Sequence, residues 1–297
     1  MRHSQLRAFH YVAAHGGFSR AAEALFLTQP AVSEQVRKLE QAHDVLLFHR
    51  ERKRVRLTET GEHLFLLTKQ LFEVEQRIAD YMSETRAAVE GELRIVADSA
   101  HHVMDLLGQF RRRYPGVTVS LRGGNTEDIL AELRSYNAEI GVIGDAPSGS
   151  DIEMLDLGET AIIAFAARGL LADPDAGLTL AEAAAYPLIL REAGSKTRAS
   201  LEEEAARQGV TITPAIVAEG REAVREMVAS GAGIGFVSLA EFGHDTRLVQ
   251  IPLNGADIRM RETIVHLSQR REVRVIRAFM EFARPGRAAP RSVTPRT

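Results

Sequence analysis

Ser19-Arg20-Ala21-Ala22-Glu23-Ala24-Leu25-Phe26-Leu27-Thr28-Gln29-Pro30-Ala31-Val32-Ser33-Glu34-Gln35-Val36-Arg37-Lys38-Leu39-Glu40 (residues 19–40) decides what kind of protein this chain is. Ser19 is expected to cap a helix carrying Ala21, Ala22 and Leu25. A break at Phe26-Leu27 follows. Thr28 is expected to cap the next helix, where Pro30 in the first turn costs little because its missing N–H has no helical partner there. Val32, Val36 and Leu39 lie at i, i+4 and i+7 and share one face, while Pro30, Ser33, Glu34, Arg37, Lys38 and Gln41 lie on the other. Two short helices joined by a tight turn, the second with a polar and partly basic face, describe a helix-turn-helix. A helix of that kind fits the major groove, and its N-terminal residues meet the base edges. An ordinary amphipathic surface helix shows the same face, so the flanking residues have to decide.

They favour DNA. Upstream, Leu6, Phe9, Val12 and Ala13 repeat at helical spacing until Gly16-Gly17 stops the helix. Downstream, the run from Phe48 to Leu57 places Arg50, Arg52, Lys53, Arg54 and Arg56 within seven residues. Val55 and Leu57 alternate with basic residues, as in a short hairpin. Such a wing suits phosphates, with Arg50, Arg52 and Arg54 as its contacts. Residues 1–58 hold 10 Lys and Arg against 5 Asp and Glu, a charge of +5, which leaves −8 on the remaining 239 residues of a chain with net charge −3. A small basic segment on an acidic body implies a polyanion partner for the segment alone.

The pattern Leu6-x-x-Phe9, Gly17-Phe18-Ser19-x-Ala21-Ala22-x-x-Leu25, Thr28-Gln29-Pro30-Ala31-Val32-Ser33-x-Gln35-Val36-x-x-Leu39-Glu40, Leu47-Phe48-x-Arg50 and Leu57-Thr58-x-x-Gly61 resembles the signature of the LysR-type transcriptional regulators. One departure is His43-Asp44, where that family usually has Leu-Gly. Asp44 is expected to alter the C-cap of the recognition helix but not the fold. The resemblance implies that Gln29, Pro30, Ser33 and Arg37 contact DNA. Gln29 and Arg37 suit base edges, since an amide matches adenine and a guanidinium matches guanine. Lys38 suits a base, a phosphate or simple exposure to solvent.

From residue 59 the pattern changes. Leu64, Leu67, Leu71, Val74, Ile78, Tyr81 and Thr85 are spaced 3, 4, 3, 4, 3, 4, with no Gly or Pro between Glu62 and Glu90. A heptad seam of this length asks for a partner helix or for packing on its own chain. The resemblance favours a partner, implying a homodimer or homotetramer through a linker helix over residues 59–90.

After Gly91, strands at Leu93–Ala97, Val117–Leu121 and Glu139–Ile143 alternate with helices at Met104–Tyr114 and Asp128–Ser135. This βαβαβ order predicts a parallel sheet covered by helices. The same plan returns with strands at Pro187–Leu190, Pro214–Ala218 and Ile234–Val237, and helices at Ser200–Gln208 and Glu222–Ala229. Ala161–Ala167 and Thr263–Leu267 are expected to cross between the halves, and the last helix, Val273–Ala283, to rejoin the first. The expected fold is therefore α/β: a winged helix-turn-helix over 1–58, the linker helix, and a two-lobed domain over 91–297 like periplasmic solute-binding proteins. Lobe I would span about 91–161 and 267–284, and lobe II about 162–266. The tail from Arg284, with three prolines and four arginines, is expected to be disordered.

Ligands of such folds sit between the lobes, at the carboxyl ends of the strands. The turns there are Asp98-Ser99-Ala100-His101-His102, Asn125-Thr126, and Glu192 to Arg198. Each sets hydroxyls beside a helix N-terminus, where free N–H groups and the dipole favour an anion. Ordinary N-capping would use the same residues. The resemblance implies that Ser99, Thr126, Ser195 and Thr197 line an effector site, and His101 and Arg198 are placed to add charge. Leu93 to His102 also resembles a LysR subgroup associated with aminoethylphosphonate catabolism, which implies an aminophosphonate effector.

The chain has no cysteine, which excludes disulfides and thiolate chemistry, and its ten histidines show no metal spacing. His101-His102 is a poor metal pair, and Gly231-Ala232-Gly233-Ile234-Gly235 leads out of a helix into a strand, the reverse of a dinucleotide loop. No catalytic motif and no cofactor motif is present. The N-terminus lacks a signal-peptide core and no apolar run is long enough to span a bilayer, so a cytoplasmic location and no membrane partner are expected. Three readings stay in play: a regulator binding promoter DNA and a small effector, an architectural DNA-binding protein without ligand, and a two-lobed carrier or enzyme. The acidic, two-lobed body speaks against the second. The basic first 58 residues speak against the third.

Overall fold

A computed structural model describes residues 1–50, 55–82, 89–98, 101–144 and 151–284 of the 297. Arg52, Arg54, Thr85, Ser99 and the tail beyond Arg284 therefore lie outside the described residues, as does the side chain of Arg50. The chain divides into two packed units, Met1–Ala87 and Ala88–Thr297.

The first unit holds α1 (His3–His15), α2 (Phe18–Leu25), α3 (Gln29–His43), the hairpin β1 (Phe48–Arg50) and β2 (Val55–Leu57), and α4 (Glu59–Met82). Its core is Phe9, Val12, Ala21, Val32, Val36, Leu39 and Leu47, the apolar faces of three helices closed by the hairpin. Thr28 caps α3, its hydroxyl accepting from the Ala31 N–H. Ser19 is not a cap, contrary to expectation. The cap falls two residues earlier, on Gly17, because Phe18 turns into the core and meets the Phe48 ring at 5.7 Å.

The signature residues at the far side of the hairpin are explained by its closure. Glu40 Oε1 accepts from the Leu47 N–H at 2.8 Å, and the Thr58 hydroxyl donates to the Leu46 carbonyl at 2.7 Å. Gly61 lies so close to Leu47 that a Cβ there would overlap its carbonyl oxygen. Leu64 on α4 joins the core, whereas Leu67, Leu71, Val74, Ile78 and Tyr81 are exposed along one stripe. Self-packing thus accounts for the first position of the heptad seam and leaves the next five uncovered.

The second unit is built on one nine-stranded sheet in the order β4-β3-β5-β11-β6-β9-β7-β8, with β10 beside β6. Its strands are β3 (Gly91–Ala97), β4 (Val117–Gly123), β5 (Ile140–Gly144), β6 (Ile152–Ala167), β7 (Leu188–Arg191), β8 (Pro214–Ala218), β9 (Ile234–Ser238), β10 (Leu248–Ile251) and β11 (Arg259–Leu267). Strand β3 is parallel to β4 and β5, and β7 to β8 and β9, which makes the two predicted parallel lobes. The two crossing strands, β6 and β11, are antiparallel to their neighbours.

Strand β6 runs nine residues further upstream than Ala161. Its first half alternates in burial and its second is buried on both faces, so only the second half reads as an apolar run. The helices are α5 (His101–Arg113), α6 (Thr126–Arg134), α7 (Leu180–Ala183), α8 (Lys196–Arg207), α9 (Arg221–Ala229), α10 (Leu239–Phe242) and α11 (Arg274–Ala283). As expected, α11 returns to lobe I: Ile276 and Phe279 share a core with Leu93 and Phe110. Nearby, buried Glu139 accepts from Arg94 Nε and Arg270 Nη2, each at 3.0 Å, joining β3 to the segment before α11.

Candidate functional sites: the helix-turn-helix face and the inter-lobe cleft

In the first unit, Gln29 and Pro30 stand exposed on the first turn of α3, Ser33 is half-buried one turn on, and Arg37 and Lys38 are exposed beyond it. Arg37 forms a two-pronged pair with Glu34, Nε to Oε2 and Nη2 to Oε1, both 2.8 Å, and Lys38 reaches the same carboxylate at 3.4 Å. The Arg37 hydrogen bond holds the Glu34 carboxyl below its ordinary pKa. The pair is solvent-exposed and worth little, so it yields readily to a better acceptor such as guanine. The hairpin pairs His49 with Arg56 and Arg50 with Val55.

In the second unit, the carboxyl ends of β3, β4, β7 and β8 frame a cleft of about 880 Å³ between the lobes. Its walls hold Asp98, Asp128, Glu192, Glu219, Glu222 and Glu241 against Arg122, Arg191, Arg221 and Arg225. At its centre the lobes are tied by arginine. Arg191, whose side chain is 8% exposed, donates from Nη1 to Asp98 Oδ1 at 3.0 Å and from Nε and Nη2 to Glu192 at 3.0 and 2.6 Å. Arg221 donates to Glu241 Oε1 at 2.5 Å and to the backbone carbonyl of Asp98. The Gly220 N–H adds a bond to Glu192 Oε2 at 3.1 Å.

Burial works against ionisation of Glu192, but the Arg191 bonds outweigh it and hold its pKa below the usual range. Burial likewise opposes the Arg191 charge, and its two carboxylate partners overcome that and raise its pKa. Glu241 goes the other way: burial pushes its carboxyl up despite Arg221.

Of the expected effector residues, Ser99 lies outside the described residues and the others differ in how they stand to this cleft. His101 lines it from α5. Thr126 opens α6, but the cap is Asn125, which accepts from the Asp128 N–H at 3.0 Å. Thr126 Oγ1 is buried and has no hydrogen-bond partner among the described residues. Ser195 holds the N-cap position of α8 and makes no cap bond there; it is 1% exposed, and its Oγ is likewise buried without a partner among the described residues. N-capping therefore explains neither hydroxyl. The two turns touch, since a Cβ on Gly194 (φ +88) would stand 3.3 Å from the Asn125 side chain.

Thr197 is buried behind Arg191 and lines a cavity of about 20 Å³, room for about one water. Arg198 does not line the cleft. It pairs with Glu202 at 2.7 Å and donates to the Arg191 carbonyl at 3.0 Å, so it braces the strand end that carries Arg191. Sequence alone does not single out Arg191, Arg221 and Glu241. The signal it offers for Arg191 is a cation closing the apolar run Leu188-Ile189-Leu190.

Residues 3–62 match the family model described as a bacterial regulatory helix-turn-helix protein of the lysR family, and residues 86–288 match the LysR substrate binding domain. The chain belongs to the LysR family. It is similar to the RuBisCO operon transcriptional regulator of Allochromatium vinosum, 31% identical over 94% of each chain. It is also similar to the HTH-type transcriptional activator CmpR of Synechocystis sp., 28% identical over 94% of this chain and 93% of that one.

Among solved structures, a full-length OxyR variant from Pseudomonas aeruginosa superposes with a TM-score of 0.77 at 20% identity, covering 96% of this chain and 95% of that one. Full-length CbnR in complex with its target DNA gives 0.67 at 21% identity, covering 95% and 99%. This LysR regulator is thus a DNA-binding transcriptional regulator with an effector-binding domain, and not an enzyme. No helix among the described residues is long and apolar enough to cross a membrane.

Proposed function

We propose that this regulator reads promoter DNA with Gln29, Pro30, Ser33 and Arg37, grips phosphates with Arg50, Arg52 and Arg54, and is switched by a small anion held between its lobes. Lys38 takes a base or a phosphate. It acts in the cytoplasm as a dimer or tetramer joined along the exposed α4 stripe.

The observation that carries the effector reading is the pair of buried hydroxyls on Thr126 and Ser195, unpartnered among the described residues, one from each lobe, at the N-termini of α6 and α8. A buried hydroxyl without a partner costs about 1–3 kcal/mol. A ligand oxyanion would satisfy both hydroxyls and the helix ends together. Ser99 and His101 would close the site from lobe I, with Thr197 and Arg198 supporting lobe II.

The cleft walls carry more carboxylates than guanidinium groups, so the anion has to bind those hydroxyls and N–H groups, or win Arg191 from Asp98. The Allochromatium vinosum relative is named for the RuBisCO operon rather than for phosphonate use. Small phosphate and carboxylate metabolites are therefore the first ligands to try, with 2-aminoethylphosphonate beside them as the ligand suggested by Leu93 to His102.

Calorimetric titration of the full chain against these ligands is the test, followed by promoter footprinting with and without the one that binds. Combining Thr126→Val with Ser195→Ala is expected to weaken binding at least about tenfold, or ~1.4 kcal/mol. Unchanged affinity in that double variant would move the site elsewhere.

A further inference from the structure

The turn between α2 and α3 carries a residue that folding alone does not explain. Phe26 is the C-cap of α2, with φ 56 and ψ 39, in the left-handed region. Its conformation is pinned: the Phe26 N–H bonds to the carbonyls of Ala22 and Glu23, and the Leu27 N–H reaches Ala22 at 2.9 Å. Glycine or asparagine adopts this conformation readily, whereas a bulky side chain meets steric cost. At the end of α1 the same task falls to Gly16. Burial gives Phe26 no compensation, because it is 95% exposed, the most exposed large apolar side chain among the described residues.

Its surroundings indicate what it meets. Every residue from Phe26 to Ala31 is exposed, and Gln29 and Pro30 are the first turn of α3. A helix entering the major groove by its N-terminus carries the turn before it to the groove edge. No Lys or Arg lies between Arg20 and Arg37, so this turn brings no cation to the phosphates. Major-groove DNA offers one apolar group to a ring in that place, the thymine C5-methyl.

We propose that Phe26 is a further specificity-determining residue, packing its ring on a thymine methyl at the edge of the half-site that α3 reads. This rests on the assignment of α3 as the reading helix. The turn then contributes an apolar contact beside the polar ones from Gln29 and Arg37, and the ring becomes buried only in the complex.

The test uses the full chain and the promoter fragment it protects in footprinting. Binding is measured on that fragment and on a set in which each thymine in turn is replaced by deoxyuridine, which removes only the methyl. The parent is expected to lose about three- to tenfold in affinity at one thymine per half-site. Phe26→Asn, which suits the left-handed turn, is expected to melt no lower than the parent. It should bind the natural fragment about three- to tenfold more weakly, show no further loss on the deoxyuridine fragments, and keep the parent's salt dependence.

A Phe26→Asn variant that binds like the parent overturns the proposal. So does a flat thymine scan, and a lowered assembly mass beside it would assign the ring to a protein contact. Arg37→Ala, run alongside, tests the underlying assignment. If it too keeps the parent's base preference, α3 is not the reader and both ideas fall; if only Phe26→Asn does, the proposal alone falls.

Discussion

Asp44 ends α3 at φ 50 and ψ 45, in the place where the family usually has glycine. A side chain there carries a steric cost that glycine avoids, so Asp44→Gly is expected to stabilise the chain by about 0.5–1 kcal/mol, seen as a higher melting temperature. His10 is the other informative single residue. The Thr68 hydroxyl donates to the Phe65 carbonyl, so at 3.0 Å from His10 it accepts from Nδ1–H, which makes His10 the neutral Nδ1 tautomer. Burial, then nearby Lys69 and His15, lower its pKa to about 4. The unfolded chain therefore binds this proton near pH 6.5 and the folded chain near pH 4. The stability His10 contributes is complete above pH 6.5 and drains away as the pH falls toward 4. Melting curves at pH 7 and pH 5 should differ less in His10→Phe than in the parent; an equal difference would mean that His10 is not the titrating group.

At the scale of elements, α4 has two working faces. One packs on α1, where His3 Nε2 meets Glu75 Oε1 at 2.5 Å and His10 meets Thr68, seven residues away on each helix, with Phe72 against both imidazoles. The other is the stripe of Leu67, Leu71, Val74, Ile78 and Tyr81, apolar and uncovered. A helix holding both faces can join the DNA-binding unit to a second copy without disturbing either set of contacts. Combining Leu71→Asp with Ile78→Asp would bury two unpaired charges at that seam and is expected to split the assembly. Light scattering reads the result directly, and an unchanged mass would exclude the stripe as the interface.

At the scale of the whole molecule, the question is what an effector has to change. Asp98 belongs to lobe I, its side chain is 4% exposed, and it is bonded to Arg191 of lobe II through its carboxylate and to Arg221 through its backbone. An anion that binds Arg191 competes with that carboxylate, and a ligand shifts the lobes only by as much as it prefers one arrangement over the other. Asp98→Asn is therefore expected to lower stability by about 1–3 kcal/mol and to raise anion affinity roughly tenfold. Calorimetry on the parent and the variant separates the two effects. A fall in affinity would show that Asp98 holds the ligand itself.

Much of this architecture was legible in the residues alone, because amphipathic helices and buried strands repeat over a few positions that stay neighbours in space. Val32, Val36 and Leu39 declare the buried face of α3, and the two βαβαβ runs declare the lobes. Short or half-exposed elements carried too little of that signal: β10 has four residues, and the first half of β6 is broken by Asp156, Gly158 and Glu159. Local sequence placed hydroxyls at the starts of α6 and α8, but only the packed structure decided that Asn125 does the capping and that Thr126 and Ser195 find no partner among the described residues. The cluster of Asp98, Arg191, Glu192, Arg221 and Glu241 was likewise beyond the sequence, since it gathers positions up to 143 residues apart. Periodicity reports what a residue's near neighbours bury, whereas a charge pair across two lobes depends on which strand ends the sheet order brings together.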